Sequence, residues 1–310
     1  MNLSPVILFV YNRPWHTEQT LNALAQNTLA NESVLTIYAD GPKAGATEDD
    51  KINIAKVRSV IRSKKWCKQV NIVEADYNKG LAASIIEGVT NTVNKNETVI
   101  VLEDDIITSP GFLEYMNDAL QVYRAEQSVM HISGYMYPLG YTTNDTRFLN
   151  VVTPWGWATW KSRWQHFNGN ASDLMEKLLA APHYSLKDYN KGYGNEFTRQ
   201  LQANIEHRIN TWAVKWHTSI YLKKGFCLHP SMSLVQNIGF DNSGIHCSTN
   251  EDYKVEVLAK EIKVVEMPLT ETPETLQRFE EFYLKFNPPI TKEKSLWDKV
   301  RSLFKGETTN

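Results

Sequence analysis

Over the first 110 residues of the chain, short apolar runs alternate with segments of helical periodicity. Runs rich in Val, Ile and Leu without polar alternation indicate buried strands, and they fall at 6–10, 34–38, 70–74 and 99–102. Apolar residues at helical spacing predict helices between them, at 17–25, 51–63 and from 78–80 through 93. In the second helix the expected inner positions are Ile52, Ala55, Val57 and Ile61. Such alternation is typical of βαβ units, so we expect an α/β fold with a twisted, mostly parallel sheet flanked by helices.

The pattern changes after residue 110, and the second half is predicted to be mainly helical. A helix is expected at 111–125, an aromatic and Gly-rich segment follows at 133–141, and helical periodicity dominates from about 160 to 222 before a late strand at 226–234. Because no long flexible linker interrupts the chain, we expect one domain over 1–250 with halves 1–108 and 109–250, and a C-terminal extension over 251–310.

Composition narrows the range of functions. The net charge of −2 gives no support to non-specific nucleic-acid binding, which depends on a basic surface. Three cysteines without metal-site spacing indicate a reducing compartment. The N-terminus lacks a basic leader region, and no stretch approaches the roughly 20 apolar residues of a membrane span. We therefore expect a cytoplasmic protein.

The tail at 292–305 predicts a basic amphipathic helix. Its apolar stripe is flanked by Lys and Arg residues, which suits peripheral contact with an anionic membrane surface. The same pattern is equally typical of a helix that packs back on its own domain or on a second copy, and the sequence leaves these alternatives open.

Three consecutive acids follow the last apolar run of the first half. Glu103, Asp104 and Asp105 come directly after the predicted strand at 99–102. Open α/β sheets bind ligands at the carboxyl ends of their strands. Adjacent carboxylates repel one another, so a hard cation such as Mg²⁺ or Mn²⁺ is expected to join them to a phosphorylated substrate. The alternative is a solvated acidic patch.

Two other polar pairs are predicted at the same edge of the sheet. Asn12 and Arg13 follow the first strand, and Asp40 and Gly41 follow the second. The chain has no Gly-x-Gly-x-x-Gly motif, no phosphate-binding P-loop and no Gly-x-Ser-x-Gly elbow, which speaks against dehydrogenases, P-loop hydrolases and serine hydrolases. A sugar nucleotide is left as the leading ligand.

Three motifs in this order carry a family resemblance. They are Val-Leu-Glu-Asp-Asp-Ile at 101–106, Pro-Trp-Gly-Trp-Ala-Thr-Trp at 154–160, and Leu-Val-Gln-Asn-Ile-Gly-Phe-Asp-Asn-Ser-Gly-Ile-His-Cys at 234–247. Over residues 4–250 the chain resembles inverting glycosyltransferases of the GT-A fold. More specifically, it resembles bacterial relatives of the N-acetylglucosaminyltransferase that initiates complex N-glycans.

The resemblance implies roles for the residues at the sheet edge. Asp105 would be the metal ligand, Asp104 would hold the ribose or a metal-bound water, and Glu103 would hold a donor-sugar hydroxyl. Asp40 would accept the N–H of a uracil ring, although Asp-Gly-Pro also makes a turn without any ligand. Asn12 and Arg13 would lie under the base and near the diphosphate.

Other positions are implied to bind the donor, the acceptor or the metal. Asn78, Lys79 and Gly80 open a helix whose N-terminus would favour an anionic group, or they simply start that helix. Trp155 or Trp157 would stack on a sugar or on the acceptor, while Trp160 and Trp164 are expected in the core. His246 would bind the diphosphate or complete the metal site.

The catalytic base is not at the position that the resemblance implies. The related enzymes use an Asp shortly before a Trp, and here Asn210 stands two residues before Trp212. An amide cannot accept a proton at neutral pH. Glu206, Glu196 and Asp241 are the alternatives that the sequence offers.

The resulting hypothesis is a glycosyltransferase dependent on Mn²⁺ or Mg²⁺. It would move a hexosyl or N-acetylhexosaminyl group from a nucleotide sugar, with UDP preferred, to a glycan or lipid-linked acceptor in surface polysaccharide assembly. One alternative is a nucleotidyltransferase. Another is a carbohydrate- or nucleotide-sugar-binding protein that retains the fold without turnover.

Overall fold

The computed structural model describes residues 3–139, 146–191, 195–241, 251–257 and 261–286. The strands in these ranges are β1 (Val6–Val10), β2 (Val34–Ala39), β3 (Gln69–Glu74), β4 (Thr98–Glu103), β5 (Ile106–Thr108), β6 (Val129–Ser133), β7 (Thr146–Phe148), β8 (Trp157–Trp160), β9 (Phe226–Pro230) and β10 (Val235–Asn237). The helices are α1 (Pro14–Ala25), α2 (Glu48–Arg62), α3 (Leu81–Asn96), α4 (Phe112–Val122), α5 (Lys161–Trp164), α6 (Ala171–Ala180), α7 (Leu186–Tyr189), α8 (Glu196–Ile205), α9 (Ala213–Leu222) and α10 (Pro273–Phe286).

Within the described part of the chain, eight strands form one sheet in the order β3-β2-β1-β4-β8-β6-β9-β7. The pairs β3–β2, β2–β1 and β1–β4 are parallel, β8 runs antiparallel between β4 and β6, and β6–β9 is parallel again. The predicted α/β class, a mostly parallel sheet flanked by helices, is confirmed. Because β1, β2 and β4 are parallel, the residues that follow them lie at one edge of the sheet.

Burial explains why the sequence forms this sheet. All five residues of β1 are buried, as the absence of polar alternation predicts for a central strand covered on both faces. In α2 the buried residues are Ile54, Val57 and Ile61. Ile52 and Ala55, which were expected to face inward, are exposed. The helix offers two apolar stripes at helical spacing, and packing against α1 and the sheet selects the one that contains Ile54.

A second, two-stranded sheet covers the acidic turn. The strand β10 pairs antiparallel with β5, which directly follows Glu103, Asp104 and Asp105. This pairing returns the chain from the second half of the protein to the carboxyl edge of β4. Residues 238–241 therefore lie over the acids.

The described part of the C-terminal extension packs on the rest of the protein. Ile262 and Val264 join the core that contains β1 and β4, and Phe279 of α10 packs in a cluster with Met136 and Leu149. The tail at 292–305 lies outside the described residues, and the domain boundaries stay a prediction. In the part of the chain described, no helix is both long and apolar enough to cross a bilayer.

Candidate functional site

The acids after β4 are held in a fixed and buried backbone. The pair Asp104 and Asp105, called here the acid pair, is only 5% exposed at each residue. The hydroxyl of Thr20 on α1 donates to the Asp104 carbonyl at 2.8 Å, and the Ile238 amide donates to the Asp105 carbonyl at 2.9 Å. Hydrogen bonds from both halves of the chain therefore hold the backbone of the acid pair in place.

Arg13 is the cation that faces the acid pair. Its Nη2 lies 2.9 Å from Asp105 Oδ2 and also contacts Asp104. Burial alone would lower the pKa of Arg13, but the two carboxylates raise it above its ordinary value. Burial also raises the pKa of Asp104 to about 6, against the lowering effect of Arg13. The pKa of Glu103 is raised by burial and then by the charges of the acid pair. Arg13 thus contacts two carboxyl groups, and its charge also acts on the third, Glu103.

Gly239 lies against the acid pair, and any larger residue there would have to displace the Asp105 carboxylate or the Arg13 guanidinium. A Cβ atom at this position would lie 2.2 Å from Asp105 Oδ2 and 2.9 Å from Arg13 Nη1. The Gly239 amide donates to the Asn237 side chain at 2.7 Å, which holds the segment in place. The close approach of the backbone to the carboxylate therefore depends on the missing side chain.

His16 belongs to the site although the sequence analysis did not single it out. Its Nε2 lies 3.0 Å from Asp241 Oδ2, and His16 is buried on α1 one turn after Arg13. Among the three alternative bases, Asp241 is thus the one that belongs to the segment 238–241 over the acid pair. A signal was present, because His16, Thr17 and Thr20 put polar side chains on the face of α1 that must pack against the sheet.

The Asp40 carboxylate organises the loop before α3. Its oxygens accept hydrogen bonds from the amides of Gly41, Lys79 and Gly80 and from the Asn78 side chain, at 2.8–3.0 Å. Gly80 has φ +79, a left-handed conformation that favours glycine. The amides proposed for an anion are therefore already bonded, and the Lys79 ammonium pairs with Glu87 at 2.8 Å. The expected uracil contact of Asp40 stays a prediction, and it would compete with these bonds.

A second polar cluster lies where β1 and β2 end. The Asn12 amide donates to Asp50 Oδ1 at 3.0 Å. Lys43 Nζ lies 6.0 Å from the centre of the Tyr11 ring, and burial raises the pKa of the Tyr11 hydroxyl. Tyr11, Lys43 and Asp50 were not among the expected site residues. Tyr11 and Lys43 come from the loops beside Asn12 and Asp40, and Asp50 comes from the first turn of α2. Nearness to Asn12 and Asp40 in the sequence is the one signal that could have found Tyr11 and Lys43.

Trp157 must be removed from the residues expected to stack on a ligand. It is fully buried in β8, where its ring stacks on Trp212 at 4.8 Å and on His131 at 5.4 Å. Spacing alone did not reveal that β8 is inserted in the middle of the sheet, which directs this side chain into the core. Trp160 and Trp164 are buried as expected.

Trp155 lies instead at a pocket of about 310 Å³, called here the aromatic pocket. Its rings come from separate segments of the second half and of the C-terminal extension, and α8 contributes the polar residues Glu196 and Gln200. Glu196, one of the expected alternatives for the base, lines this pocket together with Gln200. The pocket brings Trp155 and Glu196 together, which the sequence did not predict.

The remaining candidates for the base lie apart from these groups. Glu206 is exposed and pairs with Arg208 at 2.6 Å. Asn210 is also exposed, and its side-chain oxygen accepts from Lys215 Nζ at 3.2 Å. His246 lies outside the described residues, so its expected part in the metal site stays a prediction.

The acid pair has the chemistry of a partial site for a hard cation. Within the described residues, Asp105 Oδ1 is buried without a hydrogen-bond partner, and no cluster of three or more His, Cys, Asp or Glu side chains could hold a metal. Mg²⁺ is commonly bound by one or two carboxylates together with substrate phosphates and waters. The donor set therefore fits Mg²⁺ or Mn²⁺ only if phosphate oxygens complete it.

No family model and no curated protein matches this chain. Among solved structures, it is similar to the mannosyltransferase PcManGT from Pyrobaculum calidifontis in complex with GDP-Man and Mn²⁺, with 11% identity, 72% of each chain covered and a TM-score of 0.40. It is similar to S. aureus TarS with 13% identity, 75% of this chain and 36% of that chain covered, and a TM-score of 0.41. It is also similar to a UDP-glucose pyrophosphorylase complexed with UDP-glucose, with 11% identity, coverage of 74% and 91%, and a TM-score of 0.34.

Proposed function

We propose that the chain is a glycosyltransferase of the GT-A fold that binds its nucleotide-sugar donor at the carboxyl edge of β1, β2 and β4. One observation carries the proposal: the acid pair is buried at this edge, faces Arg13 and is closed by Gly239. Buried carboxylates need a compensating charge. With Glu103, three carboxyl groups lie near one guanidinium, and a divalent cation would supply the positive charge that is missing and could also bind a donor diphosphate.

In this proposal the acid pair holds Mn²⁺ or Mg²⁺, with Asp105 as the principal ligand. When bound, the cation neutralises the nucleoside diphosphate that leaves. Arg13 would exchange its contacts with the acid pair for the diphosphate, since a guanidinium binds phosphate oxygens in pairs. Asp105 Oδ1, which is buried without a partner among the described residues, would gain a ligand.

The nucleoside would lie over the ends of β1 and β2. Tyr11 offers a half-buried ring, Asn12 and Asp50 offer hydrogen-bonding groups, and Lys43 offers a cation near the ring. The preference for UDP over other nucleotides comes from the family resemblance. The resemblance also supports transfer of a hexosyl or N-acetylhexosaminyl group to a glycan or lipid-linked acceptor in surface polysaccharide assembly.

Inverting transfer needs a base that takes the proton of the acceptor hydroxyl as that oxygen attacks the anomeric carbon. We assign this role to Asp241, because its carboxylate pairs with His16 beside the acid pair and is 45% exposed. Glu196 is the alternative, on the side of the aromatic pocket. Asn210 cannot fill the role, because an amide does not accept a proton at neutral pH.

A melting-temperature panel tests the donor site. The protein is heated with UDP, GDP, UDP-sugars and GDP-sugars, each with Mn²⁺ or with EDTA, as wild type, Asp105→Ala and Asp49→Ala. Asp49 is an exposed acid of α2 and serves as the control. A ligand that binds only the folded state raises the melting temperature. We expect a Mn²⁺-dependent shift that Asp105→Ala loses and Asp49→Ala keeps. If no nucleotide shifts the wild type, the proposal is wrong.

The second candidate function is a binding protein without turnover, and the amide at position 210 favours it. Donor hydrolysis separates the two functions. A transferase should release UDP slowly from its donor when no acceptor is present, and a binding protein should bind the donor without releasing UDP.

A further inference from the structure

The aromatic pocket has the composition of a site for an uncharged sugar. Its volume of about 310 Å³ is near the lower end of the range for small-molecule sites. Trp155, Tyr137 and Tyr253 line it, and the Tyr253 ring lies edge to face with that of Trp155 at 5.8 Å and with that of Tyr137 at 6.3 Å. A pyranose presents apolar C–H faces and polar hydroxyls, which match aromatic walls that carry a few polar groups.

Glu196 supplies hydrogen-bond acceptors at the pocket. Its Oε1 accepts from Gln200 Nε2 at 2.9 Å and its Oε2 accepts from Arg199 at 2.5 Å. Each carboxylate oxygen has two acceptor positions, so each retains capacity for a ligand hydroxyl. Glu196 is the one charged residue among those that line the pocket in the described chain. Its charge is paired with Arg199, so the described lining offers an anionic ligand no free cation, and a neutral polyol fits its acceptors.

The pocket is connected to the acid pair by one short segment. The ring of Phe240 lies 5.5 Å from that of Trp155 and 6.0 Å from that of Tyr253. Its neighbour Gly239 touches Asp105, and Asp241 follows. A sugar in the aromatic pocket and a donor at the acid pair would thus lie on either side of residues 239–241.

We infer that the aromatic pocket binds a neutral pyranose, which is the acceptor sugar if the proposed transferase function holds. Glu196 binds the hydroxyls of that sugar, and Trp155 and Tyr253 bind its C–H face. Binding of the pyranose itself needs neither nucleotide nor metal, so it can be measured separately from the donor site.

Saturation-transfer NMR on the full chain tests this inference, with the methyl pyranosides of glucose, galactose, mannose and N-acetylglucosamine as probes. The protein carries no nucleotide and no metal. Ala213→Leu fills the pocket, Glu196→Gln removes the charge at nearly constant shape, and Ala180→Leu makes the same enlargement at an exposed helical position. We expect at least one glycoside to bind the wild type and Ala180→Leu alike, and to bind the two pocket variants about tenfold more weakly or not at all, a loss of about 1.4 kcal/mol.

The outcomes separate the inference from the proposed function. If nucleotides bind and no glycoside does, or if Ala213→Leu and Glu196→Gln both bind as wild type, the pocket assignment is overturned and the donor site stands. If glycosides bind as expected and no nucleotide does, the pocket stands and the transferase proposal fails. Circular dichroism shows whether each variant is folded. If Ala213→Leu does not fold, the binding measured for Glu196→Gln decides the test.

Discussion

Replacing Gly239 by Ala adds one methyl group at the tightest contact of the candidate site. The new Cβ would lie 2.2 Å from Asp105 Oδ2, whereas ordinary contacts begin at 3.4 Å. The difference, 3.4 − 2.2 = 1.2 Å, is the distance by which the carboxylate or the segment must move. Gly239 has no positive φ, so alanine can adopt its backbone conformation. The substitution therefore tests the contact alone.

A displacement of this size has two measurable consequences. Misplacing a functional group by about 1 Å can cost roughly 10²-fold in rate, and overpacking a buried site costs about 1–3 kcal/mol of stability. We expect Gly239→Ala to fold with a lower melting temperature, to lose most of the Mn²⁺-dependent shift with UDP, and to slow donor hydrolysis about 10²-fold.

Gly169→Ala is the matched control. A Cβ at Gly169 would lie 3.7 Å from the Phe167 ring, an ordinary contact, so this variant should behave as wild type in the same assays. If Gly239→Ala keeps the full nucleotide shift and the full rate, the close approach of residue 239 to the acid pair has no functional meaning, and our description of the site is wrong.

Four further predictions follow from the geometry. Arg13→Gln should lower the free energy of unfolding by about 3–5 kcal/mol. In urea titrations, Mn²⁺ alone should stabilise the Arg13→Gln variant more than it stabilises wild type. Equal stabilisation of the two proteins by Mn²⁺ would contradict the position of Arg13 between the acids. Burial lowers the pKa of His217 to about 4. The folded state therefore keeps its full stability above the ordinary His pKa of about 6.5 and loses about 3 kcal/mol as the pH drops towards 4, because protonation then favours the unfolded chain. A His217→Gln variant whose stability depends on pH as that of wild type does would refute this. Trp157→Ala should cost about 3–5 kcal/mol in denaturant unfolding, and a loss below 1 kcal/mol would place this ring outside the core. Asp241→Asn should slow transfer at least about tenfold while nucleotide binding is kept, whereas Glu206→Gln should change neither. The reverse pattern in an initial-rate assay would assign the base to Glu206.

The parallel half of the fold was predictable mainly because its central strands β1 and β4 are buried on both faces. The runs at 6–10 and 99–102 contain almost nothing but Val, Ile, Leu and Phe, and they form β1 and β4 within one residue at either end. The strand β8 was not predicted, because the four residues Trp157–Trp160 are too few to show whether their hydrophobic pattern has the period of a strand or that of a helix. Its place between β4 and β6 arises from pairing with strands that are distant in sequence.

The candidate site was predictable in part for the same reason. Acids directly after a buried strand had to lie at the carboxyl edge of the sheet, so the position of the acid pair followed from local sequence. The contacts of Trp155 and Trp157, in contrast, did not follow from local sequence. Both belong to one aromatic motif, yet Trp155 reaches a pocket and Trp157 fills the core, because residues 154–156 precede the strand in which Trp157 lies.

The sequence by itself therefore determined the fold class, the carboxyl-edge position of Glu103, Asp104 and Asp105, and the excess of acids there, because strand burial and strand direction are read from residues close together in the chain. Only the tertiary structure decided what faces those acids. Arg13 meets Asp105 across 92 positions, and Gly239 reaches it from the second half because β10 pairs with β5. Such contacts depend on how whole elements pack, and local periodicity carries no information about that packing.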